Sequence, residues 1–321
     1  MRIVVLDGHA LVGGELSWDA LARFGELETF DRSTPEEVVT RSRRATVLVT
    51  NKARITASVM DHAPELGFVA VTATGFDCVD VDAAKKRGVV VSNVPEYSTE
   101  SVAQLVFALL LELCHHVQRH SDAVHAGTWS ASADFSFSMT PLIELAGKTM
   151  GIVGFGRIGR SVGELAHAFG MGVVASSPSR SKAPLYAPFE WMDLDALFSK
   201  ADVVSLHCPL NAGTAGLVNR ARLGRLKPSA MLINAARGGL VIEADLADAL
   251  TRGALAGAGL DVVSVEPIRA DNPLLGAPRC LITPHFGWAT REARQRLLDR
   301  TIANVEAFAN GRPIHVVSAS R

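Results

Sequence analysis

TMGIVGFGRIGRSVGELAHAFG, residues 149–170, decides the fold. A short apolar run (Met150, Ile152, Val153) leads into Gly154-Phe155-Gly156-Arg157-Ile158-Gly159. Ile158, Val162, Leu165, Ala166 and Phe169 then recur at three- and four-residue steps, as on one face of a helix. Strand, glycine turn, helix is the context in which a GxGxxG match reads as a dinucleotide-binding turn rather than a loop. Gly154 permits the tight turn, Gly156 lets the backbone approach a pyrophosphate, and Gly159 lets the helix pack on the strand. Arg157 and Ile158 fall in the first helical turn, where free N–H groups and the helix dipole favour an anion. The motif sits halfway along the chain, so something substantial is built before it.

Working outward, 321 residues predict about two domains. The formal net charge of −1 offers no basic field to nucleic acid or to a membrane surface. Cys78, Cys114, Cys208 and Cys280 lie far apart without a CxxC pair, so neither a disulfide framework nor a metal site is expected, and a reducing cytoplasm is. The opening MRIVVLDGHA is too short an apolar run for a signal peptide. The longest apolar stretch, Leu105 to Leu113, contains Glu112 and is too short to span a bilayer.

Residues 1 to about 100 read as alternating strands (Ile3–Leu6, Thr46–Thr50, Phe68–Val71, Val89–Val91) and helices (Leu16–Phe24, Pro35–Arg43, Val81–Arg87). Nearly continuous β-branched strands between helices predict a parallel sheet covered on both faces. A long apolar helix follows over Glu100–His120, with Ser101 and Gln104 at capping-box spacing. If it faced solvent, Val102, Leu105, Val106, Leu109, Leu110 and Leu113 would expose a patch that monomers rarely tolerate, so the helix is expected between domains or subunits of a homodimer. His116 and His120, four apart, are read as structural. Ala126 to Leu145 is loop-like and carries Trp129, Phe135 and Phe137. Beyond the glycine turn, strands are expected at Gly172–Ser176, Asp202–His207, Ala230–Asn234, Gly257–Val262 and Leu281–Thr283, and a last helix over Arg291–Asn310. The fold class is therefore α/β: two Rossmann-like doubly wound parallel-sheet domains with a cleft between them, ligands binding at the carboxyl ends of the strands.

Three polar residues follow three of those strands. Arg237 lies in NAARGG, Glu266 in DVVSVEP and His285 in TPHFGWAT. Each alone has a plain explanation, as a surface loop, a turn acid before Pro267, or a residue after Pro284. Three at successive strand ends, downstream of a dinucleotide turn, point to a catalytic set.

With ATGFDCVD at 73–80, GFGRIG, HCPL at 207–210, NAARGG, GLDV at 259–262 and PHFGWAT, the whole chain resembles the D-isomer-specific 2-hydroxyacid dehydrogenases. SVAQLVFALLLEL and TPLIELAGKTMGIVGFGRIG look most like the glycerate dehydrogenase (hydroxypyruvate reductase) branch. The resemblance implies a substrate domain of residues 1–100 plus 291–321, a dinucleotide-binding domain of residues 101–290, and a homodimer joined through the latter. It also implies a partner contact by Trp129, Phe135 and Phe137. Cofactor positions carried over are Cys208, Pro209, Thr214, Ala235 and Asp261. The backbone around Thr74 and Gly75 is expected to hold the substrate carboxylate, with Asn51 and Lys52 at the rim.

The chemistry agrees. A guanidinium binds the carboxylate of a 2-oxo acid in bidentate fashion and also reaches its carbonyl oxygen, which suits Arg237 better than lysine. Hydride arriving at C2 builds charge on oxygen that a protonated imidazole quenches, and a carboxylate beside an imidazole favours that form. His285 is thus the acid/base and Glu266 its partner. A relative such as formate dehydrogenase pairs the histidine with an amide, which Glu266 argues against. The second class weighed is a dinucleotide-sensing corepressor of the same fold. Finally, NAD-preferring turns carry an acid about 20 residues past the glycines. Here the second strand runs into Ser177-Pro178-Ser179-Arg180-Ser181-Lys182, and no carboxylate appears until Glu190. Ser177 and Arg180, with Lys182, predict NADP(H) preferred and NAD(H) usable.

Overall fold

A computed structural model describes residues 1–180 and 183–317. The chain divides into two compact units: Met1–Ser98 together with the chain from Trp288, and Thr99–Gly287.

The first unit holds a five-stranded parallel sheet of β1 (Arg2–Val5), β2 (Glu26–Thr29), β3 (Val47–Thr50), β4 (Phe68–Val71) and β5 (Val90–Ser92), in the order β2-β1-β3-β4-β5. Successive residues of β4 face opposite cores. Phe68 and Ala70 pack with Leu297, Leu298 and Val305 of the helix Arg291–Ala309, whereas Val69 and Val71 pack with Val38, Val59 and Ala84. Burial on both faces is why the strand is apolar at every position. Phe308 closes the first core by stacking on Phe68, with ring centroids 4.6 Å apart.

The second unit holds β6 (Thr149–Val153), β7 (Gly172–Ser176), β8 (Phe189–Trp191), β9 (Val203–Leu206), β10 (Met231–Asn234), β11 (Gly257–Leu260) and β12 (Cys280–Ile282). All seven are parallel, in the order β12-β11-β10-β9-β6-β7-β8, so the direction of winding reverses between β6 and β9. Both sheets agree with the α/β reading.

Three expectations are corrected. The long helix over Glu100–His120 is two helices, Thr99–His115 and Val117–His125, bent by 54° at His116, whose φ is +47°. No single helix among the described residues is long and apolar enough to cross a membrane. Val102, Val106, Leu109, Leu110 and Leu113 are buried inside their own unit, where most of them join a core with Ile152, Val173 and Ile233. They cover the sheet, with Leu105 half-buried beside them. Exposure instead concentrates after them, at Val117, Trp129, Met139, Leu142 and Phe135, the last 91% exposed. Ser101 and Gln104 form no capping box, since Thr99 already opens the helix and the Ser101 hydroxyl donates to the Gly287 carbonyl. A capping box does occur at Thr34 and Glu37, ahead of the helix Pro35–Ser42. His120 is structural: its ring contacts the His116 carbonyl oxygen at 2.9 Å and accepts from the Met139 N–H at 3.0 Å.

Candidate active site

The glycine turn leaves β6 at the point where the sheet reverses. Gly154 has φ +92°, and a Cβ there would lie 2.6 Å from the Cys208 backbone nitrogen, so the turn is pressed against the residues that follow β9. A Cβ on Gly159 would lie 2.2 Å from the Gly154 carbonyl oxygen. Gly156 differs, because a Cβ there would meet nothing within 4 Å. Gly156 is also the N-cap of the helix Arg157–Ala168 and brings no side chain to cap it. The start of this helix thus has open space beside its N-cap, where an anion is favoured. Arg157 is exposed and Ile158 half-buried on that turn.

At the same sheet edge β10, β11 and β12 each end in a loop. The buried Asn234 amide donates to the Arg237 carbonyl at 2.9 Å and its oxygen accepts from the Ala236 N–H at 3.1 Å, which folds the first loop and leaves Arg237 exposed. The Arg237 guanidinium reaches back to the Ala236 carbonyl at 2.8 Å. Gly238 permits the next loop to approach, since a Cβ would lie 1.9 Å from the Val263 carbonyl carbon. From that second loop Glu266 extends to His285 of the third, with Oε2 2.7 Å from Nδ1. Both side chains are about a third exposed, His285 at 29% and Glu266 at 35%.

Asp261 sets the third loop. It is only 2% exposed, and Oδ1 accepts from the Thr283 hydroxyl at 2.6 Å and the Phe286 N–H at 3.0 Å. Its Oδ2 accepts from the Gly287 N–H at 2.9 Å. These bonds hold His285 at φ +52°, a left-handed conformation that residues with a Cβ adopt only where the surroundings impose it. Burial pushes the Asp261 carboxyl up from the usual range, although three donors and His285 oppose the shift. Sequence reasoning put Asp261 among cofactor contacts. Its carboxylate braces the chain under His285, and the cofactor contact remains a proposal.

The remaining positions fall as follows. Cys208 is half-buried and Pro209 exposed in the turn after β9, where the Thr214 hydroxyl donates to the Pro209 carbonyl at 2.6 Å and closes the loop. Just ahead of this turn, burial pushes the His207 imidazole down to about 3, and Ser205 Oγ lies 2.8 Å from its Nε2. Ala235 packs partly into the core. Ser177 is half-buried after β7; Arg180 is exposed and pairs with Asp193 at 2.8 Å, a carboxylate that sequence distance had hidden. Lys182 lies outside the described residues.

In the first unit, Thr74 donates from its hydroxyl to the Val94 carbonyl at 3.0 Å, on the loop with Gly75 after β4. Lys52 is exposed and its backbone N–H donates to Asp7 at 2.6 Å. Asn51 is no rim residue: it is buried and its amide donates to the Thr72 carbonyl at 2.6 Å. Among the described residues no cluster of three or more metal-ligating side chains occurs.

The family described as D-isomer specific 2-hydroxyacid dehydrogenase, NAD binding domain, matches residues 107–287. The chain belongs to this family. It is 46% identical to a hydroxypyruvate reductase of Blautia hydrogenotrophica over 99% of this chain and 100% of the relative. It is 37% identical to a glycerate dehydrogenase of Methylorubrum extorquens over 99% of each chain. The solved structure of an NADPH-dependent glyoxylate/hydroxypyruvate reductase from Sinorhizobium meliloti, in complex with citrate, superposes with a TM-score of 0.84 at 30% identity. That match covers 98% of this chain and 97% of the other. This D-2-hydroxyacid dehydrogenase is thus an oxidoreductase acting on CH–OH with a nicotinamide dinucleotide, and the open cradle at Gly156 fits the pyrophosphate of one. The corepressor alternative is not favoured.

Sequence reasoning missed Asn234, Gly238 and the bracing role of Asp261. The first glycine of the Gly238-Gly239 pair was the one available signal, because a glycine there marks close backbone approach.

Proposed function

We propose that this dehydrogenase reduces hydroxypyruvate or glyoxylate to the D-2-hydroxy acid. The observation that carries the reading is the 2.7 Å His285–Glu266 pair at the sheet edge that also bears the glycine turn. When bound, the dinucleotide supplies the hydride that reduces C2. Glu266 occupies Nδ1 of His285, so Nε2 gives the proton to the substrate oxygen, and in oxidation takes it back. Arg237 releases its internal carbonyl contact to hold the substrate carboxylate as a fork. In the first unit, the backbone at Thr74 and Gly75, with Lys52, is assigned to substrate binding. Gly154, Gly156, Arg157, Ile158, Gly159, Cys208, Pro209, Thr214, Ala235 and Asp261 are assigned to the cofactor.

NADP(H) is the preferred cofactor in this reading. Arg180 is held by Asp193 only in an exposed ion pair, with side-chain exposures of 52% and 89%. Such pairs contribute about 0–1 kcal/mol, so a 2′-phosphate displaces the aspartate at little cost. The NADPH dependence of the Sinorhizobium relative supports this. The exposed aromatic loop at Trp129 and Phe135, with Phe137 beside it, supports a homodimer, and four free cysteines suit a cytoplasmic protein.

The experiment is a panel of hydroxypyruvate, glyoxylate and pyruvate, each with NADH and NADPH. Oxidation of NADPH with hydroxypyruvate or glyoxylate at the highest kcat/KM is expected; no turnover of either acid refutes the substrate reading. Arg237→Lys should chiefly raise KM for the 2-oxo acid, because a point charge replaces a fork. An unchanged KM removes Arg237 from substrate binding.

A further inference from the structure

Glu243 is the first residue of the helix Glu243–Thr251, where an acid is already favoured by the helix dipole. Its carboxylate has a second engagement that the dipole does not explain. Oε1 accepts from the Ser264 N–H at 2.7 Å. Oε2 accepts from the Ser264 hydroxyl at 2.7 Å and from the Asn272 amide at 3.0 Å. Ser264 and Asn272 bracket the loop that carries Glu266, so one carboxylate grips both ends of it.

The other ties within this loop are short-range: the Val263 N–H donates to Glu266 Oε1 at 3.3 Å, and the Arg269 guanidinium pairs with Asp271 at 2.9 Å. Val265, Glu266, Pro267, Arg269, Ala270 and Asp271 are exposed, and Ile268 is its one residue packed on the core. Val263 at its start is fixed by the close approach of Gly238, and Leu274 beyond its end is buried. The span between them must nevertheless deliver Glu266 to within hydrogen-bonding distance of His285. A segment with few apolar anchors opens locally at low cost unless polar ties hold it.

We propose that Glu243 is a positioning residue for the Glu266–His285 pair, acting by clamping Ser264 and Asn272 so that the loop presents Glu266 to the imidazole. The proposal rests on the assignment of that pair under the proposed function. Glu243 touches neither substrate nor cofactor in this scheme; its effect passes through Glu266 alone. Misplacement of a catalytic group by an ångström costs up to about 100-fold in rate.

The test is a double-mutant cycle between Glu243→Ala and Glu266→Gln, read as kcat and KM for the 2-oxo acid and for NADPH, with thermal melting as the control for folding. Glu243→Ala should lower kcat by about 10- to 100-fold while KM for NADPH stays within about twofold. In the Glu266→Gln background the same change should cost less than about twofold, because the residue through which it acts is already disabled. Glu243→Gln keeps an acceptor for the Ser264 N–H and should lose less than about fivefold. If Glu243→Ala does not fold, Ser264→Ala carries the same cycle with one of the three bonds removed. An unchanged kcat, or a loss that persists in full in the Glu266→Gln background, overturns the proposal while leaving the pair intact. A Glu266→Gln enzyme as active as wild type overturns the pair's role, and this inference with it.

Discussion

The two sheets offer the same opportunity at the same place and use it differently. Each begins with a strand, β1 or β6, that turns through glycine into a helix beside the point where the winding reverses. After β1 the turn is plugged. A Cβ on Gly8 would lie 2.5 Å from the indole nitrogen of Trp18, which is buried, and the helix that follows is the single turn His9–Val12. After β6 a Cβ on Gly156 would meet nothing, and the helix runs for 12 residues. Topology is shared, so topology does not choose the ligand. The choice lies in whether a side chain of the same unit fills the turn.

A second pair of devices runs the other way. Asp7, just past β1, accepts the N–H groups of Asn51, Lys52 and Ala53 after β3. Asp261, just past β11, accepts three donors from the loop after β12. One clamp orders backbone amides at a half-exposed site. The other is sealed from solvent and aims a side chain, His285. Burial strengthens a satisfied polar network, and the site that must hold a proton donor in a rare backbone conformation is the one that is sealed.

The largest expected effect separates the two sheet edges. His285→Ala should lower kcat by about 10²–10⁴-fold with cofactor affinity unchanged. On the other edge, Thr74→Ala removes only the hydroxyl bond to Val94, costing about 1 kcal/mol of stability with kcat within a few-fold. Steady-state kinetics and denaturant melts read both, and a large kcat loss in Thr74→Ala would erase the contrast. Next come the turns. Gly156→Val should weaken NADPH binding by about 100-fold at unchanged Tm, since its side chain enters space that only a ligand needs. Gly8→Ala should cost about 1–3 kcal/mol of stability by overpacking Trp18 and leave NADPH binding alone. Fluorescence titration that found the two variants alike would break the comparison.

A smaller effect concerns the end of β7. Arg180→Ala should weaken NADPH by about tenfold and NADH by less than about twofold, consistent with one lost charged hydrogen bond. Ser177→Asp should shift preference toward NADH. A wild-type kcat/KM higher with NADH than with NADPH reduces the segment to a surface loop. The smallest is a pH effect at His207, beside the glycine turn, held neutral down to about 3 by burial. Its folded pKa lies below the unfolded value of ~6.5, so the stability it secures is present above that value and is lost as pH falls toward 3. His207→Gln should therefore melt with a shallower acid dependence between pH 6.5 and 3 than wild type, as calorimetry at stepped pH would show.

The strands Phe68–Val71 and Gly172–Ser176 were legible to the residue, because burial on both faces demands an unbroken apolar run that stands out from any flank. The edge strands Glu26–Thr29 and Phe189–Trp191 were not legible, since one neighbour and partial exposure leave a mixed pattern. GxGxxG and the order Arg237, Glu266, His285 were readable because those roles need particular residue types at strand ends. Which donors the Asp261 carboxylate holds, whether Arg180 meets Asp193, and where the apolar helix turns at His116 depended on residues brought together from other strands, or on a backbone angle that no glycine or proline announced. Sequence spacing records periodicity and local chemistry; the partner of a buried carboxylate is set by which loops end at the same sheet edge, and only the folded chain determines that.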